Sequence, residues 1–253
     1  ELSLHYQPLL DIQRLRLVGA EALLRWNHPE LGAVSPAEFI PVAESSGQIL
    51  AIGEWVLETA AAQLRRWRDE GYGTDLRVAV NLSMAQFRAP GLCARVAALL
   101  ERHRLPAACL ELELTESLTM HDPEFVVREV RNLHALGVRL ALDDFGTGYS
   151  SLAHLRQLAV HTLKVDRSFV RDLHEASARR IVQAVLGIAG GLGLHTIAEG
   201  VESAEQLALL RDMGCEQAQG FLFAPALPAA EFERRCRERG WLGCAPVAPD
   251  YQI

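Results

Sequence analysis

Eight short apolar runs with strand character recur along the chain, at residues 3–7, 17–24, 76–81, 110–114, 138–143, 161–165, 194–198 and 216–220. From the second run onward, each connection carries a helical pattern. Parallel strands need a crossover of about a dozen residues or more, and a helix is the usual way to make one. About nine residues join the first two runs, too few for a helix, so that pair is expected to be antiparallel. Ile49, Ile52, Val56, Ala60, Leu64 and Trp67 recur at spacings of three and four, the apolar stripe of a helix lying on a core. Ser35, Pro36 and Glu38 supply an N-cap, a first-turn proline and the closing carboxylate of a capping box. Asp122 and Pro123 start a helix that Gly137 stops.

This alternation points to a closed barrel, and 253 residues suits one α/β barrel. The alternative, an open doubly wound sheet, lacks the GxGxxG fingerprint after its first strand. The expectation is a single domain over residues 1–253, loosely packed from about residue 240. Because Glu1 drops straight into a strand, the domain is expected to be excised from a longer protein.

A net charge of −7 argues against a nucleic-acid polymer or a membrane surface as partner, but leaves room for an anionic substrate handled through metal ions. The longest weakly polar stretch, Val185 to Ala198, is too short to span a bilayer, which takes about 20 apolar residues. Five scattered cysteines with no CxxC pair read as reduced thiols of a cytoplasmic protein. Against 24 arginines stands one lysine, Lys164, which suggests a position needing a compact or deprotonatable amine.

Barrel chemistry gathers at the C-terminal ends of the strands. Those ends read Glu21, Asn81, Glu113, Asp143 with Asp144, Lys164, Glu199 and Gln219. One such residue is more often a helix cap or a satisfied core group; a whole rim of them, five being carboxylates, points to a shared site. Period-two parity agrees: Gly19, Ala79 and Ala141 lie beneath Glu21, Asn81 and Asp143 on the same faces. Glu111 shares the face of Glu113 and is either an inner structural residue or a support for the site. Adjacent Asp143 and Asp144 can face one site if Asp143 ends the strand and Asp144 opens the loop. Carboxylates with one amide oxygen suit Mg²⁺ or Mn²⁺ rather than zinc, and there are enough for two ions.

The residues at this rim resemble those of the EAL domain family, whose name-giving motif is Glu21-Ala22-Leu23 within "EALLRW". The resemblance runs through "YQP" at 6–8, "FIPVAE" at 39–44, "VNLS" at 80–83 and "ELTES" at 113–117. It continues through "DDFGTGYSSL" at 143–152, "LKVDRSF" at 163–169, "AEGVE" at 198–202 and "QGFLF" at 219–223. It implies a modified TIM (β/α)8 barrel with the first strand antiparallel. It also implies phosphodiesterase activity, hydrolysing cyclic di-GMP, a bacterial second messenger, to linear pGpG by in-line water attack. The ions would be two Mg²⁺ or Mn²⁺. By the same resemblance Glu21, Asn81, Glu113 and Asp143 hold the first ion, Asp143 and Asp144 the second, and Glu199 acts through water. Lys164 orients the attacking water, and nearby ions would disfavour its ammonium form. Gln219 supports the site, Gln7 and Arg25 touch the nucleotide, and Glu116 anchors the loop from Asp144 to Leu152. A homodimer and regulatory domains in the parent chain are further implications. One departure is visible: Pro225 falls a place early and Ala226 stands where the family's first proline is expected, in the loop after the last strand.

Two other classes compete. A non-catalytic cyclic di-GMP receptor would have lost ligands or loop residues, all of which are present here. A barrel lyase or racemase also uses carboxylates and a lysine, but does not call for Asn81 beside paired aspartates.

Overall fold

β1 (Leu2–Asp11) turns back through a short loop into β2 (Leu17–His28), and the two pair antiparallel from Leu2↔Trp26 to Leu10↔Leu17. The structure, a computed structural model, describes residues 1–116, 122–146 and 155–242. From β2 the sheet continues in parallel through β4 (Arg77–Asn81), β5 (Leu110–Thr115), β6 (Arg139–Phe145), β7 (Thr162–Val165), β8 (His195–Ala198) and β9 (Gln217–Ala218). β9 then pairs antiparallel with β1 and closes the ring. The barrel is therefore the (β/α)8 type with its first strand reversed, as expected. Reversal also brings the start of β1 to the rim: the Glu1 carbonyl accepts from the Asn27 amide at 3.0 Å, and the Glu1 carboxylate from Trp26 Nε1 at 2.8 Å.

Two strands escape the sequence pattern, β3 (Gly32–Val34) on the outer edge of β2 and β10 (Leu227–Pro228) on β1. Both are too short to show a period. The last predicted strand, 216–220, contracts to the two residues of β9, and β10 takes over the rest of that edge of β1.

Helices α1 (Pro36–Ser45), α2 (Ile49–Asp69), α3 (Met84–Arg88), α4 (Leu92–His103) and α5 (Pro123–Leu136) lie in the first half of the chain. Helices α6 (Arg167–Arg171), α7 (Ala176–Leu192), α8 (Ala204–Asp212) and α9 (Ala229–Glu238) complete the set among the described residues. The Ser35 capping box and the Asp122 cap on the Phe125 amide form as read. Outward residues Val78, Val80, Leu112, Leu140, Leu142 and Leu163 join one buried apolar cluster with Trp67, Val96, Val130 and Val182 of the helices.

The inside of the barrel is not apolar at its lower end. Arg77 Nε donates to Glu111 at 2.6 Å, Thr162 Oγ1 donates to the other Glu111 oxygen at 2.5 Å, and Arg139 lies 3.8 Å away. Arg77 also reaches Gln217. Glu111 is thus the inner structural residue, two residues below Glu113 and closed off from the rim. Gly19 makes room: a Cβ there would lie 2.9 Å from Arg77 Cγ. Burial works against the Glu111 charge, yet Arg77, the Thr162 hydroxyl and Arg139 hold its carboxyl below the usual range.

Removing one partner of a buried ion pair strands the other. Glu111→Gln should therefore lower unfolding free energy by about 3–5 kcal/mol in urea titrations near pH 7. The folded carboxyl titrates below its unfolded value of about 4.3, so its stabilisation is complete above that pH and is lost as pH falls through the folded value. The gap between wild type and variant should narrow in acid; a constant gap across that range would count against this role.

Candidate active site

Rising from the Glu111 layer, the inward positions of successive strands carry the rim residues toward one point. Lys164 Nζ is the centre of that point. It lies 2.6 Å from Glu199 Oε1, 2.7 Å from Glu113 Oε2, 3.2 Å from Asp143 Oδ2 and 3.9 Å from Glu21 Oε2. Its side chain is 1% exposed. Burial alone would strip its proton, but four carboxylates more than offset that, and the amine is held as ammonium. Toward these carboxylates Lys164 is a counter-ion, where the sequence anticipated a disfavoured ammonium beside bound cations.

One ammonium does not balance the acids around it. Burial, with Glu21, Asp143 and Glu199 nearby, pushes the Glu113 carboxyl well above its usual range despite Lys164. Glu199 is pushed up to about 8 by burial and by Asp143 and Glu21, with Lys164 pulling the other way. Glu21 moves down: burial opposes its charge, but Lys164 and hydrogen bonds from Gln219 and Asn81 prevail. Those bonds run from Gln219 Nε2 to Glu21 Oε2 at 2.6 Å and from Asn81 Nδ2 to Glu21 Oε1 at 2.8 Å. Asn81 so turns its carbonyl oxygen away from Glu21, free to meet a cation. Gln219 Nε2 also donates to Gln7 Oε1 at 2.9 Å, and Gln7 Nε2 donates to the Ala224 carbonyl at 3.0 Å. The Pro225/Ala226 departure therefore leaves this segment pinned: Ala224 holds Gln7, and Leu227 and Pro228 pair with β1.

Asp143 and Asp144 are brought together by a different device from the one expected. The strand does not stop at Asp143; β6 runs to Phe145, with its register against β7 broken between Leu142 and Phe145. At this bulge Asp144 adopts φ +56°, a left-handed conformation that Asp tolerates better than most residues. The extra residue cancels the alternation, and both carboxylates reach the same side. Asp143, Asp144 and Glu199 each place an oxygen within 4.8 Å of the others, a spacing one metal ion could bridge. Burial and the charges of Asp143 and Asp166 raise the Asp144 carboxyl, while Lys164 and Arg167 act against the rise. This surplus of oxygen donors and negative charge fits a hard divalent cation.

Glu116 Oε2 accepts from the Gly146 amide at 2.9 Å, which ties the first turn after the aspartates. Gly146 sits at φ +97°, and a Cβ there would lie 3.0 Å from the Phe169 ring. The remainder of the loop, from Thr147 to Leu152, lies outside the described residues. Gln7, Glu21, Asp143, Glu199 and Gln219 line a cavity of about 250 Å³ at the rim. A second cavity of about 630 Å³ meets it at Leu23 and runs between α1, α2 and the ends of β2 and β4. Arg25 and Asn81 line that second space, so Arg25 stands beside the carboxylate cluster rather than in it.

Sequence reading missed three residues of the smaller cavity, Arg167, Glu202 and Phe221. Each lies two or three positions beyond a strand-end residue that was found, in "KVDR", "EGVE" and "QGF". Their signal was their place in the first turn of loop after the rim. Phe221 is 68% exposed, an aromatic face open at the mouth. Free thiols at Cys93, Cys109, Cys215 and Cys236 lie apart from this cavity, and Cys244 is outside the described residues.

Together these features define an acidic α/β-barrel site of hard oxygen donors around a buried lysine. The chain belongs to the EAL domain family, whose model matches residues 1–226. It is 44% identical over 232 residues to the bifunctional diguanylate cyclase/cyclic di-GMP phosphodiesterase MucR of Pseudomonas aeruginosa, covering 91% of this chain and 34% of MucR. It is 44% identical over 239 residues to the cyclic di-GMP phosphodiesterase NbdA of the same organism, covering 94% of this chain and 30% of NbdA. A solved MucR phosphodiesterase in complex with c-di-GMP superposes with a TM-score of 0.88 at 44% identity, covering 91% of this chain and 94% of that one. The chain spans about a third of the length of the curated relatives it matches.

The loops that carry the site are packed without slack. A Cβ on Gly220 would lie 2.1 Å from the Val201 carbonyl oxygen and 2.3 Å from the Val201 amide. Gly220→Ala must separate the loops after β8 and β9, so it should cost more than the about 1–3 kcal/mol typical of overpacking. Thermal unfolding checks this, and a Tm within a degree of wild type would contradict it.

Proposed function

We propose that this domain is a phosphodiesterase that hydrolyses cyclic di-GMP to linear pGpG with Mg²⁺ or Mn²⁺. The observation that carries the reading is the convergence of Asp143, Asp144 and Glu199 beside Lys164 on the rim. Relatives named for this activity, at 44% identity, support the substrate. Glu21, Asn81, Glu113 and Asp143 would hold one ion, and Asp143 and Asp144 a second, with Glu199 acting through water. Bound there, such ions lower the pKa of a water and stabilise charge on the attacking and leaving oxygens.

The chain's own residues do the rest. Lys164 Nζ keeps the facing carboxylates in place and can donate a hydrogen bond to the attacking water. That water gives up a proton as it adds to phosphorus in line, the bond from phosphorus to the 3′ oxygen breaks, and this oxygen takes up a proton to leave as a hydroxyl, opening the ring. Gln219 fixes Glu21 and Gln7, so Gln7 presents a set amide edge to the nucleotide. Arg25 meets the portion of the ligand that extends into the neighbouring cavity. Phe221 offers a face on which a base can stack. The same reading places the domain in the cytoplasm as a homodimer, joined to regulatory domains in its parent chain. No helix among the described residues is long and apolar enough to cross a membrane.

Purified protein should convert cyclic di-GMP to pGpG in Mn²⁺ or Mg²⁺ and stop on chelation. Tight binding with no product would reassign the domain as a receptor. Asp144→Asn keeps a residue that accepts the left-handed backbone, so folding should be intact. Turnover should nevertheless fall by about 10²-fold or more, the scale of losing one oriented charge; near-normal rates would sink the metal assignment. Lys164→Arg keeps the charge but not the compact amine, and should lose about as much. Full activity in that variant would show that the lone lysine has no special task.

A further inference from the structure

Arg167 stands out among the cationic side chains near the site. It lines the smaller cavity with Asp143, Glu199, Glu202 and Phe221; its charge is felt by Asp144, yet no hydrogen bond or close ion pair to another described residue ties up its guanidinium. Arg171, on the same short helix, pairs with Asp172 instead. The stem of Arg167 is held, not loose. It follows Asp166, whose carboxylate caps the Ser168 amide at 3.0 Å. On its other side lies the backbone after Glu199: a Cβ on Gly200 would be only 2.6 Å from Arg167 Cβ, and Gly200 takes φ +67°. Gly200 therefore lets the backbone after Glu199 run close against the base of the Arg167 side chain.

Lys164 cannot serve an incoming anion, being buried and surrounded by four carboxylates. Arg25 lines the other cavity. The smaller cavity is thus left with one cationic side chain, an exposed guanidinium whose planar fork of donors matches two oxygens of a phosphate. Divalent ions on the acids would leave it fewer carboxylates to turn to.

We propose that Arg167 is a substrate-binding residue, its guanidinium taking a phosphate of the cyclic dinucleotide on the Glu199–Phe221 side of the cluster, across from Arg25. This rests on the phosphodiesterase reading above and adds a contact to it. The ligand would then be gripped from both cavities, with the acids between.

Steady-state kinetics of Arg167→Ala and Arg167→Lys with cyclic di-GMP and Mn²⁺ test the assignment. Loss of a charge-assisted contact should raise KM about tenfold or more while kcat changes far less. Arg167→Lys should recover part of the loss, because it restores charge without the fork. A KM within about twofold of wild type in Arg167→Ala would make Arg167 a solvated surface residue. A fall in kcat at constant KM would also overturn the proposal, because the contact would not be one of binding. If wild type gives no product, the phosphodiesterase reading fails on its own. Calorimetric titration of wild type and Arg167→Ala with cyclic di-GMP then decides, equal affinities or no binding at all removing the contact.

Discussion

The site depends on one buried ammonium. Lys164 is the only lysine of the chain, and its buried amine sits where four strands deliver carboxylates to the rim. Without it, the acids of β2, β5, β6 and the β8 end could not share that space as charged groups. With it, their charge is only partly met, as the raised Glu113 and Glu199 carboxyls record. That partial balance is useful chemically: the lysine keeps the scaffold assembled, and the remaining deficit is what a divalent cation can fill.

Polarity continues below the site. The Arg77–Glu111–Thr162 network fills the lower interior where many barrels stack branched aliphatics, and glycine or alanine at positions 19, 79 and 141 leaves it the room. Two ionic layers thus lie on one another inside a ring whose outer face is mostly apolar. The lower layer is closed and neutralised by its own arginines. The upper is open and acidic, and this contrast directs ligand chemistry to one end of the barrel only.

Much of this was legible in the sequence because it follows period and place. The strand order, the reversed β1, the capped helices and the seven rim positions come from spacing alone, and the structure gathers those rim residues within one region. What was hidden depends on neighbours across the sheet. The Asp143–Asp144 bulge exists only against β7, so the single chain suggested a strand end instead. Glu111 and Glu113 share parity, and only their heights against Arg77 and Lys164 separate a structural acid from one of the site. β10 is two residues long and is defined by its partner. Arg167 and Phe221 lie just past the strand ends, where no periodicity marks them.

Reversing β1 also sets where a polypeptide meets the barrel. In an all-parallel ring the first strand begins at the face opposite the chemistry. Here Glu1 is bonded to Trp26 and Asn27 at the upper end of β2, level with the mouth. The reversal therefore puts the first backbone of β1 at the same end of the barrel as the carboxylates, an end that an all-parallel ring keeps for the exits of its strands.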